Sequence, residues 1–143
     1  MYQKVLVPVD ESNGAMRALL EACKLAQNVH AKVYAVHILD YAQVAWNGNS
    51  LVNHEEQKTK DAVIEQSKEI FEQYQIVGET EVLNNTGEKI AQIIIRKAQE
   101  NNCDLIVMGT HGLTGVMHLL MGSVAEGVLR KSKIPVMLIR QTD

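Results

Sequence analysis

Several broad functional classes are excluded by what the 143-residue chain lacks. It has no excess of positive charge: 14 Lys and Arg stand against 17 Asp and Glu, a formal net charge of −3. Nothing in that balance draws the chain to nucleic acid or to an anionic membrane, so neither is expected as a partner. The one basic cluster, Arg130, Lys131 and Lys133, falls where a helix is expected to end, and cations there have an ordinary structural use. No apolar run reaches transmembrane length, and Met1 leads into a short apolar strand without the basic and hydrophobic regions of a secretory signal. The expected location is the cytoplasm. The two cysteines, Cys23 and Cys103, lie far apart in apolar contexts, with no C-x-x-C and no histidines at metal-ligand spacing; buried, reduced thiols are expected. Aromatic residues make up only 4%.

What is present suits one domain over residues 1–143, since 46% hydrophobic and 22% charged residues at this length allow a sizeable core. Lys4 to Val9 is β-branched and apolar, and Pro8 near its end cannot donate to a ladder, so a first strand is about to leave the sheet there. Asp10 to Gly14 reads as a turn and capping region. From Asn13 to Asn28, Met16, Leu19, Leu20, Cys23 and Ala26 recur at helical spacing. Val33 to Leu39 is a second strand ending at Asp40. Tyr41 to Asn53, which holds Gly48, three asparagines and Trp46, reads as a loop. Val63, Ser67, Ile70 and Tyr74 make His54 to Gln75 a long second helix, and Thr80 to Leu83 a short third strand follows. Thr86 is expected to cap a third helix whose buried face is Ile90, Ala91, Ile94, Ile95 and Ala98. Cys103 to Val107, Val124 to Lys131 and Pro135 to Arg140 are a fourth strand, a fourth helix and a last strand.

Strands alternating with helices imply an open parallel sheet of α/β class, with right-handed crossovers and helices on both faces. In such sheets ligands bind beyond the carboxyl ends of the strands, where the strand order reverses. The most concentrated local signal lies at one of those ends. Met108 to Val124 reads M-G-T-H-G-L-T-G-V-M-H-L-L-M-G-S-V and contains four of the nine glycines, at a strand-to-helix connection. Glycine lets backbone N–H groups approach a ligand closely, and Gly122-Ser123 stands where the next helix begins, so free N–H groups, the helix dipole and a hydroxyl can face an anion. The spacing is neither a Walker A loop nor the G-x-G-x-x-G dinucleotide fingerprint.

G-T-H-G, nine residues and then G-S resembles the nucleotide-binding signature of the universal stress protein family, in its ATP-binding subgroup. K-V-L-V-P-V-D at the start, V-Y-A-V-H-I-L-D after the first helix, D-L-I-V-M-G-T-H-G and the closing K-S-K-I-P-V-M-L-I resemble that family's landmarks in its order. Only about Tyr41 to Asn53 lies outside the resemblance. It implies the strand order 3-2-1-4-5 of a Rossmann-like sheet, with Asp10 and Gly109 facing each other across the crevice. It also implies ATP with a divalent cation, Mg2+ or Mn2+, carried on the phosphates rather than in a protein metal site. The site residues it implies are Pro8, Val9 and Asp10 after the first strand, Ile38 on the second, Met108, Gly109, His111 and Gly112 after the fourth, and Gly122, Ser123 and Val124.

Each has a plainer reading beside that one. Asp10 either caps the first helix or accepts from ribose hydroxyls, and Ile38 offers its backbone to the adenine edge while its side chain is core in either case. His111 either touches phosphate or is an exposed loop residue. Ser123 as an N-cap is compatible with a phosphate beside it. His37 is a packed strand residue, and His30, His54 and His118 form no constellation.

Two other classes lack the residues they require. An adenylating enzyme of the related α/β nucleotide-binding superfamily should carry S-G-G-x-D-S after the first strand, where this chain has D-E-S-N-G-A. Hydrolysis needs a placed base or water-orienting group, and only Asp10 and His111 are available, so slow turnover or none is expected and no catalytic residue is assigned. A phospho-acceptor receiver domain should end its third strand in aspartate, where this chain has Leu83-Asn84-Asn85. The expectation is a nucleotide-binding regulatory protein. Val136 to Ile139 is apolar throughout and lies at the sheet edge in the implied order, so a homodimer through that strand is expected.

Overall fold

Val5 and Val7 pack on one side of the first strand and Leu6 on the other, and all three are fully shielded from solvent. A strand apolar on both faces needs helices above and below it. The computed structural model has that arrangement: β1 (Lys4–Pro8), α1 (Asn13–Val29), β2 (Lys32–Asp40), α2 (Ser50–Tyr74), β3 (Gly78–Asn85), α3 (Ile90–Glu100), β4 (Leu105–Gly109), α4 (Ser123–Lys131) and β5 (Val136–Ile139). It describes residues 1–40, 50–85, 87–111 and 121–140, with 50–55 in backbone alone.

The five strands are parallel and ordered β3-β2-β1-β4-β5. One face carries α1 and α2: Ala18, Leu19, Ala22 and Cys23 pack with Val63, Ile70 and Phe71 against Val5, Val7, Val33 and Val107. The other carries α3 and α4, where Ala91, Ile94, Ala98, Ala125 and Val128 cover Leu6, Tyr34, Val36, Ile106 and Met108. The chain order runs outward from β1 to β3 and then restarts on the other side with β4. The carboxyl ends of β1 and β4 therefore diverge into connections on opposite faces and leave a crevice between them.

Most element boundaries differ from expectation by a residue or so, and the larger departures have identifiable causes. Residues 50–53, read as loop, belong to α2; the rest of that expected loop, 41–49, lies outside the described residues. Thr86, expected as a cap, also lies outside them, and the residue at the cap of α3 is Lys89, which makes no side-chain capping bond. The polar work there falls to Asn85, whose side chain accepts from the N–H groups of Gly87 (3.0 Å) and Glu88 (2.8 Å), a local alternative to helix that delays its start. β3 runs from Gly78 to Asn85 rather than from Thr80 to Leu83, because pairing with β2 over its whole length overrides its weak local pattern. β4 begins at Leu105, since the Asp104 carboxylate instead accepts from the N–H groups of Gln3 (3.1 and 2.9 Å) and Lys4 (3.1 Å) and pins the entry to β1. The two cysteines are buried free thiols as expected, and burial raises Cys23 to about 12 and Cys103 to about 11.

Candidate functional site

Pro8 closes β1 because it has no N–H to continue the ladder, and Val9 carries on by donating to the Val36 carbonyl at 2.8 Å. The chain then turns through Asp10, whose Oδ1 accepts from the Ser12 N–H at 2.7 Å, while the Ser12 hydroxyl accepts from Ala15 N–H at 3.2 Å. Ser12 is thus the N-cap of α1, and Asp10 stabilises the turn before it. Gly109 ends β4 against the start of α1. A Cβ there would sit 3.0 Å from the Gly14 carbonyl, so the two elements meet this closely only because Gly109 has no side chain.

Thr110 ties β4 to the start of α4. Its N–H donates to Ile139 C=O at 3.2 Å and its own carbonyl accepts from Gly122 N–H at 2.7 Å. Two expectations change here. The Gly122 N–H is engaged by Thr110 rather than free for an anion, and the N-cap of α4 is Gly122, with Ser123 as the first helical residue and exposed. The N–H groups of Ser123, Val124 and Ala125 occupy the first turn of α4, where the helix itself supplies no carbonyl partner.

These segments enclose a cavity of about 570 Å³ at the carboxyl ends of β2, β1 and β4. Its wall includes Pro8, Val9 and Asp10 from the end of β1, Ile38 from β2, Met108, Gly109 and His111 from the end of β4, and Gly122, Ser123 and Val124 from the start of α4. Every site residue named from the sequence and described in the structure is on that wall; Gly112 lies outside the described residues. Asp10 and Gly109 both line it.

His111 is not an exposed loop residue. It is only 8% exposed, its Nδ1 stands 3.1 Å from the Thr110 hydroxyl, and its shielded Nε2 has no hydrogen-bond partner. His37 is packed, as expected, and lies on the wall as well: its Nδ1–H donates to the Val9 carbonyl at 2.9 Å, a bond that fixes the proton on that nitrogen because a carbonyl only accepts. Further wall residues come from elements whose pattern reads as plain core or surface. Ile90 and Ile94 of α3 supply an apolar side, and Asp40, Glu56 and Thr59 a polar one. Asp40 marks a strand end and Glu56 stands among other charged residues, so no local signal set either apart. The described wall holds the carboxylates of Asp10, Glu11, Asp40 and Glu56 and no Lys or Arg.

A family model described as the universal stress protein family matches residues 1–140. The chain belongs to the universal stress protein family. Among its curated relatives, universal stress protein MJ0531 of Methanocaldococcus jannaschii is 29% identical over 148 residues, covering 99% of this chain and 84% of the relative. Universal stress protein MJ0577 of the same organism is 27% identical over 161 residues, covering 99% and 96%. The solved structure of MJ0577 superposes with a TM-score of 0.86 at 27% identity, over 100% of this chain and 99% of that one. A universal stress protein from Archaeoglobus fulgidus, solved in complex with dAMP, superposes with a TM-score of 0.72 at 26% identity, over 96% and 98%. The universal stress fold and a nucleotide-binding relative of similar length therefore stand beside this chain. Among the described residues no helix is long and apolar enough to cross a membrane.

Proposed function

We propose that the protein binds ATP with Mg2+ or Mn2+ as a cytoplasmic, homodimeric universal stress protein, and that nucleotide occupancy rather than catalysis changes what the dimer does. The observation that carries this reading is the convergence of the β1, β2 and β4 ends and the α4 N-terminus on one cavity. Neighbouring strands are roughly 4.8 Å apart, so the wall presents three stations in a row. The backbone of Ile38 on β2 faces the base, Asp10 beyond β1 faces the ribose, and His111 with the first turn of α4 faces the phosphates. The helix terminus favours negative charge by its dipole and unsatisfied N–H groups. Four carboxylates on the same wall oppose a bare triphosphate, which is the physical reason for a divalent cation on the phosphates. The dAMP complex of the Archaeoglobus relative supports a nucleotide as the ligand class. Free, buried thiols suit a reducing compartment.

Turnover is expected to be slow or absent. One Asp10 oxygen accepts from the Ser12 N–H, the residue is assigned to the ribose rather than to the phosphates, and His111 is enclosed, so neither is assigned the role of base toward an attacking water. A steady-state phosphate-release assay should read far below the roughly 1 to 10³ s⁻¹ common for enzymes, and a rate in that range lost in Asp10→Asn would make the protein an enzyme. Calorimetry with excess Mg2+ should find ATP bound more tightly than AMP. Gly122→Val should largely abolish binding, because a Cβ at that position already meets the Thr110 carbonyl oxygen at 3.2 Å and the added methyls have the cavity as their outlet. Equal affinity for AMP and ATP, or an unaffected variant, would count against this site.

A further inference from the structure

We infer that Asp40 and Glu56 select the base: their carboxylates form an acceptor wall at the β2 end of the cavity that accepts a 6-amino purine and rejects a 6-keto purine. The inference rests on the nucleotide reading above and adds a discrimination that the glycine motif does not contain.

Oδ1 of Asp40 and Oε2 of Glu56 are shielded from solvent and have no hydrogen-bond partner in the protein, yet both residues line the cavity. Buried polar atoms without partners are uncommon, and a carboxylate oxygen can be satisfied only by a donor. The missing donors are assigned to a ligand in the cavity that both residues line. A second, independent observation comes from the opposite end: His111, 8% exposed, lines the same cavity and has an equally unpartnered Nε2. Both ends of the cavity hold polar atoms that the protein itself does not satisfy.

The topology assigns the ends. Asp40 is two residues beyond Ile38 on β2, hence on the same side of the strand, and β1 separates β2 from β4. The Asp40 end is therefore roughly 10 Å from the β4 and α4 station that suits phosphate, two strand spacings away. Glu56 reaches the cavity from α2. A base whose pairing edge meets the Ile38 backbone would use one proton of an exocyclic amino group there and has a second to give. The carboxylate wall supplies an acceptor for it. A keto oxygen in the same place sets acceptor against acceptor, in a shielded site where neither is hydrated. The hydroxyls of the sugar have Asp10 nearer to them, so the base amino group is the donor left for this wall.

The test is calorimetric titration of the full-length protein with ATP, with inosine triphosphate, and with purine riboside triphosphate, which keeps the N1 acceptor and lacks only the amino group, each with excess Mg2+. The wild type should prefer ATP over inosine triphosphate by roughly ten- to a hundredfold, with purine riboside triphosphate between them. In Asp40→Asn/Glu56→Gln the preference should shrink to about threefold or less, since the amides can donate to a keto oxygen. The ratio is the readout because loss of negative charge strengthens binding of every triphosphate alike. Each single variant should reduce the ratio at least threefold and decides the matter if the double variant does not fold. Equal affinity of the wild type for ATP and inosine triphosphate overturns the inference and leaves the nucleotide reading intact, as does a preference unchanged in every variant. A wild type that binds none of the three defeats the nucleotide reading and this inference with it.

Discussion

Glu81 shows what one side chain's surroundings do to its charge. Burial alone would raise its pKa, but the Tyr34 hydroxyl donates to it at 2.5 Å and Lys97 stands 3.1 Å away, and together they hold it below the ordinary 4.5. Tyr34 is raised in turn, first by burial and then by the bond to Glu81. A carboxylate whose folded value is depressed contributes stability at pH above its ordinary value and loses it as the pH falls through the folded value. Glu81→Gln should therefore melt below the wild type at neutral pH, and the gap should close as the pH drops from about 4.5 downward. A gap that is independent of pH would assign Glu81 a purely packing role. At this scale Asp10, Gly109 and Gly122 were legible as cavity-lining residues from their type and their place at strand and helix ends, and Ile38 from the family resemblance. Asp40 and Glu56 were not, since an ordinary acidic residue acquires its isolation from water only when β2 and α2 close over the cavity.

The interior faces of the helices were legible in their 3.6-residue repeat, and Ala91, Ile94 and Ala98 are buried as the spacing of α3 requires. Helix ends were less legible, because polar groups compete for them locally: Asn85 takes the Gly87 and Glu88 N–H groups, and the N-cap of α3 is Lys89. Gly127 in α4 is the point at which two helices touch. An added Cβ would lie 2.8 Å from Ala91 Cβ, well inside the roughly 3.5–4.0 Å of a relaxed carbon contact. Gly127→Ala sets about 1 kcal/mol of gained helix propensity against an overpacking cost of roughly 1–3 kcal/mol, so a net loss of about 1 kcal/mol is expected. Urea denaturation should show a lower midpoint with an unchanged slope, and Ala91→Gly in the same chain should restore it. A raised midpoint in the single variant would show that α3 and α4 part freely.

For the molecule as a whole, β5 is the last strand of an open sheet, and its Met137 is 40% exposed. The carbonyls of Pro135 and Ile139 face β4, as the bonds from Ile106 and Thr110 show. By the two-residue alternation of a strand, the backbone groups of Val136 and Leu138 point away from the sheet. An apolar edge with outward N–H and C=O groups is a template for pairing, and pairing about a two-fold axis closes it. Light scattering at tens of micromolar should find a dimer. Leu138→Pro removes an outward donor while leaving the ladder to β4 in place, and should give a monomer. A monomeric wild type would defeat the proposed assembly, and a dimer indifferent to proline would move the interface to another surface.

The sequence by itself determined the class of the fold. Alternating strand and helix patterns admit little except a parallel sheet covered on both faces, and apolar periodicity says which side of each element is core. It also singled out the connection from β4 to α4, whose described residues Gly109, His111, Gly122 and Ser123 all line the cavity. Four things were decided only in three dimensions: the length of β3, the enclosure of His111, the capture of the Gly122 N–H by Thr110, and the presence of both Asp40 and Glu56 on the lining of one cavity. Each joins residues distant in the chain or an atom to its solvent exposure, and a one-dimensional pattern contains neither.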